Sequence, residues 1–374
     1  MLLIGFAITL LYALLIGSFI LGFNKVPLFH LKRIPSKTTF SVVVPFRNEA
    51  ENLPILLESI QNLNYPKELF EVILVDDDSE DESVELIVGF LANARTDVTI
   101  INNVRKTNAP KKDAITTAIN NAKHEWIVTT DADCTLPEFW LNSFNAFIQE
   151  TNTKCIVAPV KYHDTIGFLN AFQTLDFLSL QGATIGGFGI NKPFLCNGAN
   201  FGYKKSLFFE LNGFKGNSTI ASGDDIFLLE KVAKTHPNNL HYLKCNEAIV
   251  STQTQKSWKH LFSQRLRWSA KTSNYKNAFG KLTGLIVFLM NAFVVLSILF
   301  CLFNLFSFKS LLYILVLKLY VDFLLLYKTA SFFNSKHVLK SYLLGFLVYP
   351  FFSVFIALTS VFKSYTWKDR TFKK

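Results

Sequence analysis

Four long apolar segments constrain the architecture of this chain more than any other feature. Residues 2–23 carry no charge. A helix of that length, at about 1.5 Å per residue, spans a hydrocarbon core of roughly 30 Å. Three further apolar runs lie near the C-terminus, at residues 282–306, 311–327 and 341–362. The sequence therefore predicts one membrane anchor, a globular domain, and about three further membrane helices.

The predicted boundaries follow the same shifts in composition. They give an N-terminal anchor at 1–24, a globular domain at 38–255, an amphipathic interfacial segment at 256–281, membrane helices within 282–362 and a basic tail at 363–374. A cleaved signal peptide is the alternative for the first segment. No basic residue precedes that apolar run and no small-residue cleavage site follows it, so an uncleaved anchor is favoured.

Basic residues near the ends of the spans predict which side of the membrane holds the globular domain. Lys25, Lys32 and Arg33 follow the anchor, and seven lysines and arginines lie between residues 256 and 281. Both flanks predict a multi-pass protein of the cell membrane with a cytoplasmic globular domain. Four spans would leave the C-terminus outside, although its basic tail favours the inside. Either the short run 311–327 does not span, or the tail is an exception.

Lys318 and Asp322 interrupt the apolar run 311–327. They are four residues apart, which makes them neighbours on one face of a helix. The simplest interpretation is an ion pair satisfied within the helix bundle, and contact with a lipid headgroup or a substrate is the alternative.

The net charge of +10 does not favour nucleic acid as a partner. Nucleic-acid binding predicts basic clusters interleaved with aromatic residues on the globular domain. Much of the basic excess here instead flanks apolar spans, where anionic membrane lipids are the simpler partner. The five cysteines show no metal-binding spacing, so they are interpreted as reduced thiols without a zinc site.

Strand and helix patterns alternate through the globular segment. Buried-strand patterns occupy residues 39–46, 70–81, 97–103 and 125–133, and helical patterns occupy 48–63 and 111–122. This alternation predicts an α/β domain with a doubly wound, mostly parallel sheet. Ligands of such sheets bind beyond the carboxyl ends of the strands.

Acidic residues stand at two of those carboxyl ends. Asp76, Asp77 and Asp78 follow the second strand, and Asp131 and Asp133 follow the fourth. Helix capping or turn formation is the ordinary interpretation of either group alone. Five carboxylates at one sheet edge repel each other, however, unless a cation offsets their charge. We therefore expect Asp131 and Asp133 to hold Mg²⁺ or Mn²⁺, which would neutralise a diphosphate.

Glycine-rich phosphate-binding motifs are missing from the sequence. It contains no G-x-x-x-x-G-K-[ST] pattern, and the GGFG at residues 186–189 follows no strand pattern, so it is interpreted as a flexible loop. Nucleotide hydrolases with a P-loop and hydride-transfer enzymes are therefore disfavoured. The phosphates must be held by the metal and by basic side chains, and Lys111 is one candidate.

Six motifs, in order, resemble those of the inverting family 2 glycosyltransferases. They are VVVPFRNEAENL, VDDDSED, KKDA, TTDADC, GDDIFLL and QRLRW, and they cover about residues 39–270. The resemblance is to the membrane-embedded branch that includes cellulose, chitin and hyaluronan synthases and ceramide glucosyltransferases. It implies a domain of the GT-A type, a metal-dependent hexosyl or N-acetylhexosaminyl transfer, and a nucleotide-sugar donor, with a UDP-sugar expected.

The resemblance also implies a role for individual residues. Asp77, with Pro45, Arg47 and Glu49 of the first loop, would line the nucleotide pocket. Asp131 and Asp133 form the D-x-D pair. The general base would be Asp225, preceded by Asp224 where glutamate is usual. The Q-x-x-R-W motif is matched by Gln264, Arg267 and Trp268, and the acceptor-side segment 197–214 begins with Asn197 and Gly198.

Each implied role has a physical reason. Inversion requires a carboxylate to take the proton of the acceptor hydroxyl while that oxygen attacks opposite the leaving diphosphate. The metal and either Arg267 or Lys111 would stabilise the growing charge of the leaving group. Trp268 offers a flat apolar face for a sugar ring. An amphipathic helix at the membrane surface also explains the Q-x-x-R-W segment, and both interpretations can hold together.

Two acceptors and one non-enzymatic function remain open from the sequence. The Q-x-x-R-W motif favours a processive polysaccharide synthase, whereas so few membrane helices favour a single transfer to a lipid, unless the chain forms a homo-oligomer. A catalytically silent membrane scaffold that binds sugar nucleotides is the alternative function. The complete set of acids, with Asp131, Asp133 and Asp225 all present, disfavours a silent site.

Overall fold

The computed structural model describes residues 2–92, 96–164, 166–218, 220, 222–271, 274–362, 365–367 and 370–372. The helices in chain order are α1 Leu2–Lys25, α2 Leu53–Gln61, α3 Ser83–Leu91, α4 Pro110–Asn121, α5 Trp140–Glu150, α6 Phe168–Gly189, α7 Lys205–Glu210, α8 Asp224–Thr235, α9 Trp258–Ala270, α10 Ala278–Leu302, α11 Phe308–Phe332 and α12 Tyr342–Phe362. The strands are β1 Phe40–Phe46, β2 Phe70–Asp76, β3 Asp97–Asn102, β4 Trp126–Thr129, β5 Cys134–Thr135, β6 Cys155–Val157, β7 Val160–Tyr162, β8 Phe201–Lys204, β9 Leu240–Tyr242, β10 Val250–Thr252, β11 Tyr365–Trp367 and β12 Arg370–Phe372.

The chain divides into two compact units. The helical unit consists of Met1–Val26, Asp164–Leu195 and Thr254–Lys374, and the sheet unit consists of Pro27–His163 and Cys196–Gln253. The predicted globular range 38–255 is therefore not continuous as a compact unit, because Asp164–Leu195 cluster with the membrane helices.

The sheet unit is built on seven strands in the order β3-β2-β1-β4-β8-β6-β9. Strands β1 to β4 pair in parallel, and β8 pairs antiparallel with both β4 and β6. The strands form here because β1 and β2 are runs of β-branched and aromatic residues that are buried on both faces, with Val42, Val44 and Leu74 fully inaccessible. The predicted doubly wound, mostly parallel sheet is confirmed, and β5, β10 and β7 form a second, smaller sheet.

Four helices of the helical unit are long and apolar enough to cross a membrane, judged by length and composition. They are Leu3–Lys25, Ala278–Leu302, Phe308–Phe332 and Lys336–Phe362. The expectation of one N-terminal and three C-terminal candidates is thus confirmed for the described residues. The third run, expected to be short at 311–327, is a helix of 25 residues, because Phe308 to Ser310 and Lys328 to Phe332 extend it at both ends.

Helix α6 contradicts the interpretation of residues 186–189 as a flexible loop. These residues form the last turn of α6, and their glycines pack against α1. A Cβ atom on Gly22 would lie 2.1 Å from the carbonyl oxygen of Gly186, and one on Gly189 would lie 1.8 Å from that of Gly22. The glycines are needed because two helix backbones approach each other closely, as in small-residue helix packing within membranes.

Candidate active site

The first turn of α4 places Lys111 among acidic residues from two other segments. Its ammonium lies 2.6 Å from Oδ1 of Asp131, just beyond β4, and 3.7 Å from Oδ2 of Asp224, at the start of α8. Burial alone would lower the pKa of Lys111, but Asp131 and Asp224 outweigh burial and raise that pKa above its ordinary value. Lys111 is therefore charged and bridges the two acidic segments.

Asp224 and Asp225 open α8, after Gly223 adopts a left-handed conformation with φ 85°. Carboxylates are favourable in the first turn of a helix because the amide dipoles point toward them. The Asp224 side chain is buried, while Asp225 is half-buried. Asp225 accepts hydrogen bonds from the amides of Gly198, at 3.1 Å, and Ile226, at 2.8 Å, which fix the orientation of its carboxylate.

Gly198 lies at the point where these groups approach each other most closely. A Cβ atom there would lie 3.1 Å from Oδ2 of Asp224 and 3.7 Å from the ammonium of Lys111. The carbonyl of Gly198 accepts a hydrogen bond from the hydroxyl of Thr129, at 2.6 Å, which ties it to the end of β4. Asn197, also expected from the sequence, accepts a hydrogen bond from the Ala199 amide at 3.0 Å and shapes the same turn.

Asp133 carries the most perturbed carboxyl group of the site. Burial, the charge of Asp131 and the charge of Glu49 raise its pKa to about 6, although Thr252 and Lys111 act in the opposite direction. Burial is the largest of these causes, and the neighbouring acids add to it; a bound cation would offset the second of these effects. The described residues contain no group of three His, Cys, Asp or Glu side chains that could hold a metal, so Asp131 and Asp133 would need further oxygen ligands from a substrate.

Lys112, the neighbour of Lys111, contacts the segment that precedes α8. Its ammonium is 1% exposed and donates hydrogen bonds to the carbonyls of Asn217, at 2.8 Å, and Ile220, at 2.9 Å. It also lies 4.7 Å from the centre of the Phe227 ring. Lys112 therefore attaches the segment that leads into α8 to the first turn of α4.

A second cluster surrounds Asp77, at the end of β2. Its carboxylate accepts hydrogen bonds from Asn103, at 2.7 Å, and from Arg105, at 2.7 Å. Arg47 donates to the backbone carbonyls of Asp77, at 3.0 Å, and Asp78. Asn103 also donates to the carbonyl of Pro110, at 3.1 Å, so one amide group connects this cluster to the first turn of α4.

The structure thus brings together one group of the predicted site residues directly. Lys111, Asp131, Asp224, Asp225 and Gly198 contact each other, and Asp133 and Glu49 interact electrostatically beside them. Asp77 and Arg47 belong to the second cluster, and Pro45 lies within β1 opposite Val75. The sequence did not indicate Arg105 or Asn103. The only available signal was their place just after β3, at the edge where ligands of parallel sheets bind.

Gln264, Arg267 and Trp268 lie in the helical unit, on α9. All three are half-buried. The residue between them, Arg265, is buried, donates to Oε1 of Gln264, and places its guanidinium 4.3 Å from the centre of the Trp268 ring.

Residues 41–211 match the profile of glycosyl transferase family 2. Over 100 residues the chain is 38% identical to an undecaprenyl-phosphate 4-deoxy-4-formamido-L-arabinose transferase from Photorhabdus laumondii, which covers 26% of this chain and 30% of that protein. Over 122 residues it is 27% identical to the poly(ribitol-phosphate) beta-N-acetylglucosaminyltransferase TarS from Staphylococcus aureus, which covers 33% of this chain and 21% of that protein. The chain thus spans less than a third of the length of either relative.

Among solved structures, the fold is similar to that of a mannosyltransferase from Pyrobaculum calidifontis, solved in complex with GDP-Man and Mn²⁺. The TM-score is 0.53 at 17% identity, and the match covers 92% of this chain and 95% of that one. At this identity the similarity establishes the fold, which is of the GT-A type. Residues 41–211 of this chain thus match the glycosyl transferase family 2 profile and lie within a fold of this type.

Proposed function

We propose that the chain is a membrane-bound, inverting glycosyltransferase that moves a sugar from a nucleotide-diphosphate sugar to an acceptor. One observation carries the proposal: Lys111 lies between the D-x-D acid Asp131, at 2.6 Å, and the acid pair that opens α8, 3.7 Å from Asp224. A leaving diphosphate needs a cation beside it, and an attacking hydroxyl needs a base. This arrangement offers both at one edge of the sheet.

The cluster around Asp77 would hold the nucleoside of the donor. Asp77 offers a carboxylate oxygen to a base or ribose, and Arg105 offers a planar cation whose side chain is 38% exposed. Arg47 donates hydrogen bonds to the backbone carbonyls of residues 77 and 78, which would make this part of the nucleoside pocket rigid. A UDP-sugar remains the expected donor, on the resemblance of the motifs.

Asp131 and Asp133 would hold Mg²⁺ or Mn²⁺ together with the donor phosphates. The raised pKa of Asp133 is compatible with this: burial is its largest cause, and the charges of Asp131 and Glu49, which a cation would offset, add to it. When bound, the ion would neutralise the negative charge of the diphosphate. The Mn²⁺ of the Pyrobaculum calidifontis mannosyltransferase is compatible with the same choice of metal.

Asp225 is the proposed general base. Two backbone amides aim its carboxylate, and it is more exposed than Asp224, so an acceptor hydroxyl can reach it. Asp225 would take the proton of that hydroxyl while its oxygen attacks the anomeric carbon and the bond to the diphosphate breaks. Lys111 would stabilise the departing phosphate oxygen, and Asp224 would keep Lys111 charged and in place. Arg267 and Trp268 would assist the leaving group and stack on the sugar, as the motif resemblance suggests.

The acceptor is proposed to be a lipid-linked group at the cytoplasmic face. The name of the Photorhabdus relative includes a lipid phosphate, and this chain carries four helices suited to a membrane. A growing polysaccharide is the second acceptor to be tested, in line with the synthase-like branch of the family. The length of the product on a gel separates the two, since a single transfer gives one band and processive synthesis gives a ladder.

The test of the reaction uses the purified full chain in lipid nanodiscs. Radiolabelled UDP-sugars are supplied with Mg²⁺ or Mn²⁺, and transfer or slow hydrolysis is measured. We expect turnover with at least one donor, and a decrease of about 10³-fold for Asp225→Asn, because the loss of a general base costs about 10²–10⁴-fold.

The matched control is Asp97→Asn, which removes an exposed carboxylate paired with Lys123 at the opposite end of the strands. It should leave turnover unchanged. No turnover by the wild-type chain with any common nucleotide sugar would overturn the proposal, and so would equal activity of Asp225→Asn and the wild type.

A further inference from the structure

Asp176 is a buried acid in the middle of α6, within the helical unit. Its Oδ2 atom accepts a hydrogen bond from Nε of Arg265 at 2.6 Å, and both side chains are less than a tenth exposed. Tyr349, from α12, lies close enough to interact electrostatically with the same carboxylate. Asp176 on α6 thus pairs with α9 and faces α12.

A buried ion pair of this kind adds little net stability by itself. The loss of hydration of the two charges offsets most of their attraction, and apolar residues of similar size often stabilise a protein as well or better. The pair therefore calls for an explanation beyond holding two helices together, and the surroundings of Arg265 provide one.

Arg265 contacts two of the three residues of the Q-x-x-R-W motif. Its Nη1 atom donates to Oε1 of Gln264, and its guanidinium lies 4.3 Å from the centre of the Trp268 ring. The opposite neighbour of Trp268 is Phe177, the residue after Asp176, with ring centroids 6.2 Å apart. Arg265 thus determines where the Gln264 amide and the Trp268 ring point, and Asp176 determines where Arg265 points.

We infer that Asp176 is a positioning residue, which acts through Arg265 to hold Gln264 and Trp268 in their working orientation. The inference rests on the proposed function, in which the motif serves sugar transfer. Without the negative charge, the guanidinium loses its fixed partner and turns about its long side chain. The motif residues then sample several orientations, and fewer encounters lead to transfer.

Asp176→Asn tests this inference, because it keeps the size of the side chain and removes its charge. We expect kcat to fall by about 10-fold or more while KM for the donor changes less than about threefold, since a misplaced catalytic group lowers the rate after binding. The double variant Asp176→Asn/Arg265→Gln should be no slower than Arg265→Gln alone, because Asp176 acts only through Arg265. Independent, multiplying losses would contradict the inference.

The matched control is Asp322→Asn, which breaks a second buried ion pair of the helical unit without touching the motif. Both variants should lose similar stability, but only Asp176→Asn should lose kcat per folded molecule. Equal losses of kcat in the two variants would reduce Asp176 to a structural role.

A spectroscopic readout separates this inference from the proposed reaction. The chain is labelled with 5-fluorotryptophan, and the Trp268 resonance is assigned by its loss in Trp268→Phe. Asp176→Asn should shift or broaden that ¹⁹F resonance, and Asp322→Asn should not. An unchanged resonance in Asp176→Asn overturns the positioning role. Absence of any sugar transfer by the wild type overturns the proposed function. Even in that case, the ¹⁹F resonance shows whether Asp176 fixes the orientation of Trp268.

A second inference concerns α12 and rests on different contacts. The first turns of α12 run beside α11, where the Tyr342 hydroxyl donates to the carbonyl of Leu319 at 2.7 Å. The second half of α12 runs beside α9: the Phe262 ring lies 5.0 Å from that of Phe352, and Ser269 and Ser360 are joined by a 2.9 Å hydrogen bond. The side-chain contacts of α12 thus pass from α11 to α9 along its length, and α10 also packs against α12.

Helix α9 is a poor neighbour for a segment that crosses hydrocarbon. Lys259 and His260 are exposed on it, and charged groups in hydrocarbon are costly. It also ends at Ala270, shortly before α10 begins at Ala278. The end of α12 therefore lies beside the end of α9, the helix that precedes α10 in the chain. Pro350 interrupts the backbone hydrogen bonds of α12 close to where its partner changes from α11 to α9.

We propose that α12 re-enters the membrane instead of crossing it, so that its end returns to the side where α10 begins. The backbone of β11, which follows α12, lies next to α9 and continues the same path. Three crossing helices, α1, α10 and α11, then leave the basic tail on the side that its charge favours. This reconciles the number of apolar segments with the distribution of basic residues.

Two epitope tags test the path of α12. One is inserted after Asn304, in the turn between α10 and α11, and the other is added after Lys374. Antibody access is measured in sealed vesicles before and after permeabilisation. With α12 re-entrant, the two tags lie on opposite sides, so only one is accessible before permeabilisation. Access to both tags, or to neither, means that α12 crosses and overturns the proposal.

Discussion

Lys111 of the sheet unit and Lys318 of the helical unit are both lysines held by aspartates, but their charge balance differs. Lys111 faces Asp131 and Asp224, and Asp225 adds to the same negative field. Lys318 has Asp322 at 2.6 Å, is 1% exposed, and lies about 5 Å from the rings of Tyr12 and Phe346. The Tyr12 hydroxyl also donates to Asp322 at 2.6 Å.

The difference lies in the number of acids that share one lysine. Around Lys318 one cation meets one anion, and aromatic rings and a hydroxyl complete the shell, which is typical of a structural ion pair. Lys111 is instead shared by Asp131, Asp224 and Asp225. Such crowding of acids would be relieved by a bound cation.

The largest expected effect is on the stability of the protein, and it comes from a substitution of Lys318. Lys318→Met leaves Asp322 in an apolar bundle without its cation, and we expect a loss of about 3–5 kcal/mol in the free energy of unfolding. The midpoint of thermal unfolding in nanodiscs measures it, and activity per folded molecule should stay unchanged. The double variant Lys318→Met/Asp322→Leu should recover the wild-type midpoint, because it removes both charges. If the double variant were as unstable as the single one, Lys318 would have a role beyond its ion pair with Asp322.

The next largest effect is on the rate of sugar transfer, and it comes from a substitution of Lys111. Lys111→Met should lower kcat by about 10²-fold, since removal of one group that stabilises developing negative charge costs about 10²–10³-fold. Lys111→Arg keeps the charge and should recover part of the rate. Initial rates at saturating donor measure both variants. If Lys111→Met were as active as Lys318→Met, the surplus of acids would have no role in the chemistry.

A ligand that supplies positive charge should stabilise the sheet unit, which would increase the difference between the sites of Lys111 and Lys318. UDP with Mn²⁺ at about 100 times its dissociation constant should add about 2.7 kcal/mol to the stability of the folded state. UDP without the metal should add clearly less. In Asp133→Asn the increment due to the metal should disappear, while in Asp97→Asn it should remain. Thermal unfolding with and without Mn²⁺ measures this, and equal shifts in both variants would remove Asp133 from the metal site.

The smallest effect tests the packing on which the helical unit depends. Gly22→Ala forces a Cβ atom toward the carbonyl of Gly186, and we expect a loss of about 1–3 kcal/mol, as for other overpacked interiors. Gly17→Ala is the control on the same helix, because a Cβ atom there meets nothing within 4 Å. It should be neutral or slightly stabilising, since alanine favours helix. Equal unfolding midpoints for both variants would mean that α1 and α6 do not pack so closely.

The sequence predicted the parts of the fold that follow from local patterns. Strands β1, β2 and β4 are mostly apolar runs, and the alternation with helices sets the parallel pairing of β1 to β4. Two features escaped prediction, because each depends on contacts between distant segments. The antiparallel β8 is four residues long and pairs with β4 across more than 70 residues of chain. The glycines at the end of α6 suggested flexibility, whereas the close approach of α1 gives them their purpose.

The candidate site was predicted to a similar degree. Motif residues such as Asp131, Lys111 and Asp225 were identified by spacing and resemblance, and the structure places them in contact or adjacent. Arg105 was not, since a lone basic residue in a loop carries no motif, and Lys112, although part of the KKDA motif, was given no role. Their importance emerges only from what they touch, namely the carboxylate of Asp77 and the carbonyls of Asn217 and Ile220.

The adjacent lysines of α4 have a consequence for how such an enzyme can change its substrates. In the proposed reaction Lys111 serves the phosphate end of the donor, and Lys112, one residue on, holds the segment that leads to the proposed base. A change in the length of that segment would pull on the same helical turn that carries Lys111. Under this proposal acceptor choice and donor activation are inherited together, and new specificities should arise more easily by altering residues outside that turn.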